Sequence, residues 1–276
     1  MTSKKSMLRA MLVATALVWG PVTAVYAQAS YASPQAAAEA LNSAIALSDR
    51  DGVQTVLGAH FMRYVPEHDV SMEDAYAFLE AWNKAHSIEQ TSDTRAELVV
   101  GDGWHFPAPL VKSAKGWSFD VKAAQAEINR RRIGRNELGA IETLKQLCAA
   151  QARFAQSQGQ PASRIVSSAD RRDGLYWPAV DGPESPLGPD ALVMGADTPV
   201  DAALYGYHYR LLSDAAANKG CSFLAWPARQ GVDGVHAFVI GGDGVVRERV
   251  LGSAGAANQV RSAGAAQDWS AVQAVQ

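Results

Sequence analysis

Charge is scarce in this chain: 19% of its 276 residues are charged, while 48% are hydrophobic. A disordered polymer shows the reverse balance, so that class is excluded. The 23 glycines and 12 prolines follow no fixed period, which excludes a collagen-like or coiled-coil rod. A basic excess is missing too. The formal net charge is -3, which argues against nucleic acid as the main partner. Beyond the N-terminus, no apolar run approaches the roughly 20 residues of a membrane span. Aromatic residues amount to 8%, yet seven of them are Trp, which implies packed apolar centres.

The marks of several chemistries are missing as well. The six histidines, His60, His68, His86, His105, His208 and His236, form no H-x-x-x-H or H-E-x-x-H pattern. His208 and His236 could meet across strands and hold a metal with Asp243 or Cys221, but ordinary strand positions explain them better, so no metal and no cofactor are expected. There is no G-x-S-x-G, and Ser185 sits between prolines without an obvious base. Asp170, Asp173, Asp181 and Glu184 could supply a carboxylate pair, but turns at Asp173-Gly174 and Asp181-Gly182 account for them more simply. Gly241, Gly242 and Gly244 precede a strand and not a helix, so they make no phosphate cradle.

What is present begins at the N-terminus. Lys4, Lys5 and Arg9 form a positive region, Met11 to Trp19 a short apolar one, and Val25-Tyr26-Ala27 a small-residue cleavage motif. Residues 1–27 therefore read as a signal peptide cut after Ala27, with Ala29 the second choice. The apolar run is too short to span a membrane, and no Cys follows it to carry a lipid. A periplasmic or secreted chain is expected. In such a compartment Cys148 and Cys221 allow a single pairing, a helix-to-sheet staple. Two buried thiols, or a Cys148 facing solvent, are the alternatives.

The rest of the chain divides in two. Ser33 and Pro34 open a helix with Ala37, Leu41, Ile45 and Leu47 on one face. A short helix follows Asp51-Gly52, and a third spans about 72–90, capped by Ser71 with Asp74. Strand patterns then cover 95–100, 104–112 (an edge or bulged strand, given Pro107 and Pro109) and 117–121. Residues 31–121 thus read as a cone of helices and curved sheet. Residues 122–158 read as one long helix, or two joined end to end, at the domain boundary; Gly134 and Gly139 weaken it. An irregular loop runs over 160–202. Strand patterns over 203–212, 221–226, 235–240 and 245–251 predict an antiparallel sheet of about four strands, with a turn at Gly241-Gly242-Asp243-Gly244. The second domain is residues 122–252, and 253–276 is a flexible tail. The fold class is α+β in two domains.

Several stretches then carry a resemblance: IGRNELGAIETLKQLCAAQARFA, RRDGLYWP, SPLGP, YGYHYRLL, FLAWPARQGVDGVHAFVIGGDGVV and the earlier WHFPAPLVKSAKGWSFD. Together they resemble the uncharacterised bacterial family catalogued as domain of unknown function 2950, over about residues 31–252. That resemblance implies an exported bacterial protein with another exported or envelope protein as partner, and no assigned activity. The C-terminal half is similar to pilin-like domains, a helix spine on a four-stranded sheet. Arg130, Arg131, Arg132 and Arg135 stand where a polymerising pilin needs apolar residues, so the likeness implies no fibre subunit. The N-terminal half resembles the nuclear-transport-factor-2-like (NTF2-like) cone. Fold likeness says little about chemistry.

Two function classes follow. The first is a non-enzymatic binding or scaffolding protein of the periplasm or envelope. It would act through an aromatic face of Tyr205, Tyr207, Tyr209, Tyr176, Trp177 and Trp226, or through the four arginines. Glu127 and Glu137 beside those arginines also fit a solvated helix face with internal ion pairs. The second is a small-molecule-binding protein or hydrolase with Trp104, His105 and Trp117 lining a pocket in the cone. Converging ionisable side chains in that cavity favour the second class, and an apolar, filled cone favours the first.

Overall fold

The Ser33 hydroxyl accepts a hydrogen bond from the Ala36 N–H, and Pro34 follows at the first helical position, so α1 (Pro34–Ala46) starts where its orphan donors are satisfied. The computed structural model describes residues 28–65, 70–178, 184–212, 220–251 and 269–272. Helix α2 (Arg50–Leu57) is capped by Asp49. Helix α3 (Met72–Lys84) opens with a complete capping box between Ser71 and Asp74.

Helix α3 stops well short of residue 90. Ala85 is extended, and His86 turns back so that its ring stacks on Trp82 at 4.0 Å while Nδ1 lies 3.0 Å from the Trp82 carbonyl oxygen. Strand β1 (His86–Ser92) follows, a strand that the sequence pattern hides. Only Ile88 is even half-buried, so no apolar alternation marks it. It pairs antiparallel with β2 (Arg95–Val100), which pairs at one end with β3 (Trp104–His105) and at the other with β4 (Leu110–Ser113); β5 (Gly116–Phe119) completes the sheet. Pro107 and Pro109 fall in the gap between β3 and β4, where no ladder donor is needed. Ala96, Leu98 and Val100 of β2 meet Ala37, Ala38 and Leu41 of α1, Val56 of α2, Trp82 of α3 and Leu110, Trp117 and Phe119 in one apolar core.

Helix α4 (Gln125–Gln158) is one unbroken helix of 34 residues. Its two glycines do not split it, and Gly159 ends it in the left-handed region at φ 75°. Its beginning packs into the first core through Ala124 and Ile128. From Ala140 it belongs to the second core, where Leu144 and Leu147 are fully buried, each worth about 1.5–3 kcal/mol of apolar transfer. One helix therefore serves both domains of this α+β fold.

The second sheet runs β12-β11-β10-β9-β8, with β8 Tyr207–Leu211, β9 Phe223–Pro227, β10 His236–Ile240, β11 Val246–Val250 and β12 Ser270–Ala271. It has five strands, not four. The fifth comes from the expected tail: Ser270 and Ala271 pair with Glu248 and Arg247, and Trp269 packs near Leu224, Ala237 and Leu251 on the sheet face away from α4. Trp269 on that face and Val272 against the core on the α4 side supply the apolar contacts that hold this strand. The remaining tail residues and the leader lie outside the described residues, as do His68 and Asp181. Within the loop region, β6 (Arg164–Val166) and β7 (Gly174–Tyr176) form a parallel pair.

Candidate functional site

The four arginines near the start of α4 point around the helix and not into one patch. Arg130 pairs with Glu127, and Arg131 Nε lies 2.6 Å from the other carboxylate oxygen of Glu127. Arg131 also donates to the His105 carbonyl oxygen at 2.9 Å, and its guanidinium lies 5.2 Å from the Trp104 ring centroid. Arg132 donates to the Val232 carbonyl oxygen at 3.3 Å. Arg135 reaches Asp74 in the first turn of α3 at 3.3 Å. These ties hold both domains to one helix segment, so the arginines do not form the free docking patch that the sequence allowed. Two guanidinium groups beside Glu127, that of Arg130 first, hold its carboxyl below the usual carboxylate range.

Just beyond lies a polar network that sequence reading missed. Glu137 Oε1 accepts from the backbone N–H groups of Val235 at 2.9 Å and His236 at 3.1 Å, and lies 3.1 Å from His236 Nδ1. Asp233, buried, takes a bidentate pair from Arg229 Nε and a terminal nitrogen, both at 2.8 Å. Asn136 donates to the Asp233 carbonyl oxygen at 3.0 Å. The loop 229–235 is thereby locked to α4. The one local signal was the four-residue spacing of Arg229 and Asp233. Glu137 and Val235 lie 98 positions apart, beyond any pattern.

The expected aromatic face is a core. Tyr207 and Tyr209 are 0% and 2% exposed, against Ala140, Leu144 and Leu147 of α4. Burial pushes both phenols far above the usual Tyr range, with the Glu137 charge adding to the effect at Tyr207. Their hydroxyls donate to the carbonyl oxygens of His236 and Leu204. Trp177 is buried in the same core, Tyr176 packs at its edge, and Trp226 lies on the opposite sheet face. Alternation located the strand, but the helix decided which face is covered. Of the ladder, Tyr205 alone is truly exposed, at 52%. It precedes β8 at φ 51°, a backbone conformation strained for a non-glycine residue.

Trp104, His105 and Trp117 do not share a pocket. Trp104 is exposed, His105 Nδ1 sits 2.9 Å from Glu97 Oε2, and Trp117 is buried in the core. Adjacent residues on β3 point to opposite faces, which separates the first two. Among the described residues, the fully buried side chains of the cone are apolar, and Asn42 of α1, itself only partly buried, brings a buried Oδ1 without a hydrogen-bond partner beside them. His208 and His236 stand on β8 and β10 with β9 between them, and no metal-binding group of three or more His, Cys, Asp or Glu occurs among the described residues. Asp173 is engaged by the Ser168 N–H at 2.8 Å and hydroxyl at 2.6 Å, while Asp170 and Glu184 are exposed. The Ser185 hydroxyl donates to the Leu187 carbonyl oxygen.

Cys148 and Cys221 are joined in a disulfide between α4 and the start of β9, with Cα atoms 5.1 Å apart. No helix among the described residues is long and apolar enough to cross a membrane.

Exposed apolar side chains are spread over both domains. Those with a contact beside this segment of α4 are Trp104, under Arg131, Tyr205, against Gly139, and Val232, whose carbonyl oxygen accepts from Arg132, while Leu138 stands on the segment itself. Fold and site together define an α+β protein of two domains hung on one helix, with Leu138, Trp104 and Tyr205 exposed beside that helix. The model of the family described as Protein of unknown function (DUF2950) matches residues 28–272, and the chain belongs to that family. That span takes in β12, beyond the stretches that carried the resemblance. No curated protein and no solved structure matches the chain.

Proposed function

We propose that this chain is an exported binding or scaffolding protein of the bacterial envelope, and that it docks another exported protein over the junction between its domains. The observation that carries this reading is the set of exposed apolar side chains beside residues 131–139 of α4, namely Leu138 (62%), Trp104 and the strained Tyr205. Apolar side chains that adjoin one another in water mark interaction surfaces, whereas scattered single ones do not. The apolar interior of the cone supports the same reading over a cavity hydrolase. The helix-backed antiparallel sheet of domain two supports a pilin-like likeness, and the helices and curved sheet of domain one an NTF2-like likeness, as analogies of fold alone.

Export draws support from Gln28. Its side-chain amide donates to the carbonyl oxygens of Val56 at 3.1 Å and Phe119 at 2.7 Å, so the fold uses the residue directly after the expected cleavage point. Cleavage after Ala29 would discard that tie. Cell fractionation with N-terminal sequencing tests it: a periplasmic or secreted protein beginning at Gln28 is expected, and an uncut cytoplasmic chain removes the reading.

The docking reading is tested by photocrosslinking in the native cell, with the crosslinking residue placed at Leu138, at Tyr205 and at the remote, exposed Leu47. Adducts with one exported protein from the first two positions, and not from Leu47, are expected. No adduct from Leu138 or Tyr205, or the same adducts from Leu47, would end it.

A further inference from the structure

The Cys148–Cys221 disulfide lies in an open groove of about 320 Å³ between α4 and the β10–β11 turn. Both cysteines are half-buried, so the bond is neither sealed in the core nor held off the surface. Gly220, Gly241, Gly242 and Gly244 line the groove from the sheet side, and Ala149 and Ala152 from the helix side. Apart from Gln151, no wall side chain is larger than a methyl group or the cysteines themselves, so a polypeptide backbone can come down onto the sulfur atoms. We propose that this groove is a thiol–disulfide exchange site for a cysteine pair on an extended segment of another exported protein.

Access and the attacking thiolate set the rate of such exchange, and the groove supplies the access. A partner thiol loses its proton, and its thiolate attacks one sulfur of the disulfide. A mixed disulfide forms, the Cys148–Cys221 bond breaks, and the released cysteine thiolate takes up a proton. The second thiol of the partner then attacks the mixed disulfide and frees the remaining cysteine. The partner is oxidised by two electrons to a disulfide, and Cys148 and Cys221 end as two thiols. The helix has an anchor besides the bond. Leu144, Leu147, Ala150 and Phe154, on both sides of Cys148, are buried against the sheet. A dithiol form of the same fold is thus available. The site is remote from the domain junction along α4, and its test needs no docking partner.

The experiment exposes the folded mature protein to a Gly-Cys-Gly peptide and follows the mixed disulfide by intact mass. Wild type is expected to form a single adduct while its circular dichroism stays native. Ala152→Trp, at an exposed helix position in the groove wall, is expected to react roughly tenfold more slowly at unchanged Tm, because it blocks access. A disulfide that yields no adduct until urea unfolds the chain would overturn the proposal. So would an Ala152→Trp protein of native Tm that reacts as fast as wild type.

Discussion

The ring of Tyr205 rests on the backbone of Gly139. A Cβ built on that glycine falls 2.6 Å from the ring's Cγ, closer than any real contact. In an ordinary helix, Gly to Ala is favourable by about 1 kcal/mol. Here the ring base must leave its rotamer to clear the methyl group, and it gives up its contact with α4 in doing so. Gly139→Ala is therefore expected to destabilise by about 1–3 kcal/mol in a urea melt. Adding Tyr205→Ala is expected to restore the loss, since the smaller side chain leaves room for the methyl group. A single variant as stable as wild type would contradict the contact.

Glu137 gives a second expectation. Its carboxylate, 16% exposed, satisfies two backbone donors and faces an imidazole nitrogen. Glu137→Ala strands those donors and is expected to cost about 2–4 kcal/mol. Glu137→Gln keeps an accepting oxygen and is expected to cost less. Equal losses from the two variants, measured by chemical denaturation, would show that hydrogen-bond acceptance is not what Glu137 supplies.

Acid should loosen the junction. The Glu127 carboxyl is held below its usual range by Arg130 and then Arg131. A carboxylate with a depressed folded pKa contributes stability that is complete above the unfolded value of about 4.3 and is lost as pH falls through the folded value. Wild type is thus expected to lose stability from about pH 4 downward. Glu127→Gln, which has nothing to protonate, is expected to lose less over the same interval. Parallel pH profiles for the two proteins would count against the arginine pair.

Removing the disulfide tests what holds α4. The bond closes a loop of sequence separation 73, for which loop-closure entropy predicts a loss of about 4 kcal/mol in Cys148→Ala/Cys221→Ala. The native circular dichroism spectrum is expected to survive, because the apolar stripe of α4 remains buried. An unfolded double variant would make the bond the sole anchor.

Much of the local architecture was legible in the residues. Ser33 with Pro34, and Ser71 with Asp74, announced helix starts, because a cap and its partner lie within three residues of each other. The β10–β11 turn and the long amphipathic α4 were readable for the same reason. Strand β1 was not legible, because an edge strand wet on both faces carries no alternation. The junction site was hardly legible at all. The arginines were noticed as a charge cluster, but their partners Asp74, His105 and Val232 lie far along the chain.

By itself, then, the order of residues determined where the capped helices begin, where the β10–β11 turn falls, and that two apolar cores would form. Only the tertiary structure decided that the tyrosines of β8 face inward, that Trp269 brings a fifth strand home, and that Cys148 finds Cys221. The physical reason is range. Capping and periodicity act between neighbours, whereas burial and pairing depend on which distant surface arrives opposite, and a shift of one residue in a strand turns its inner face out.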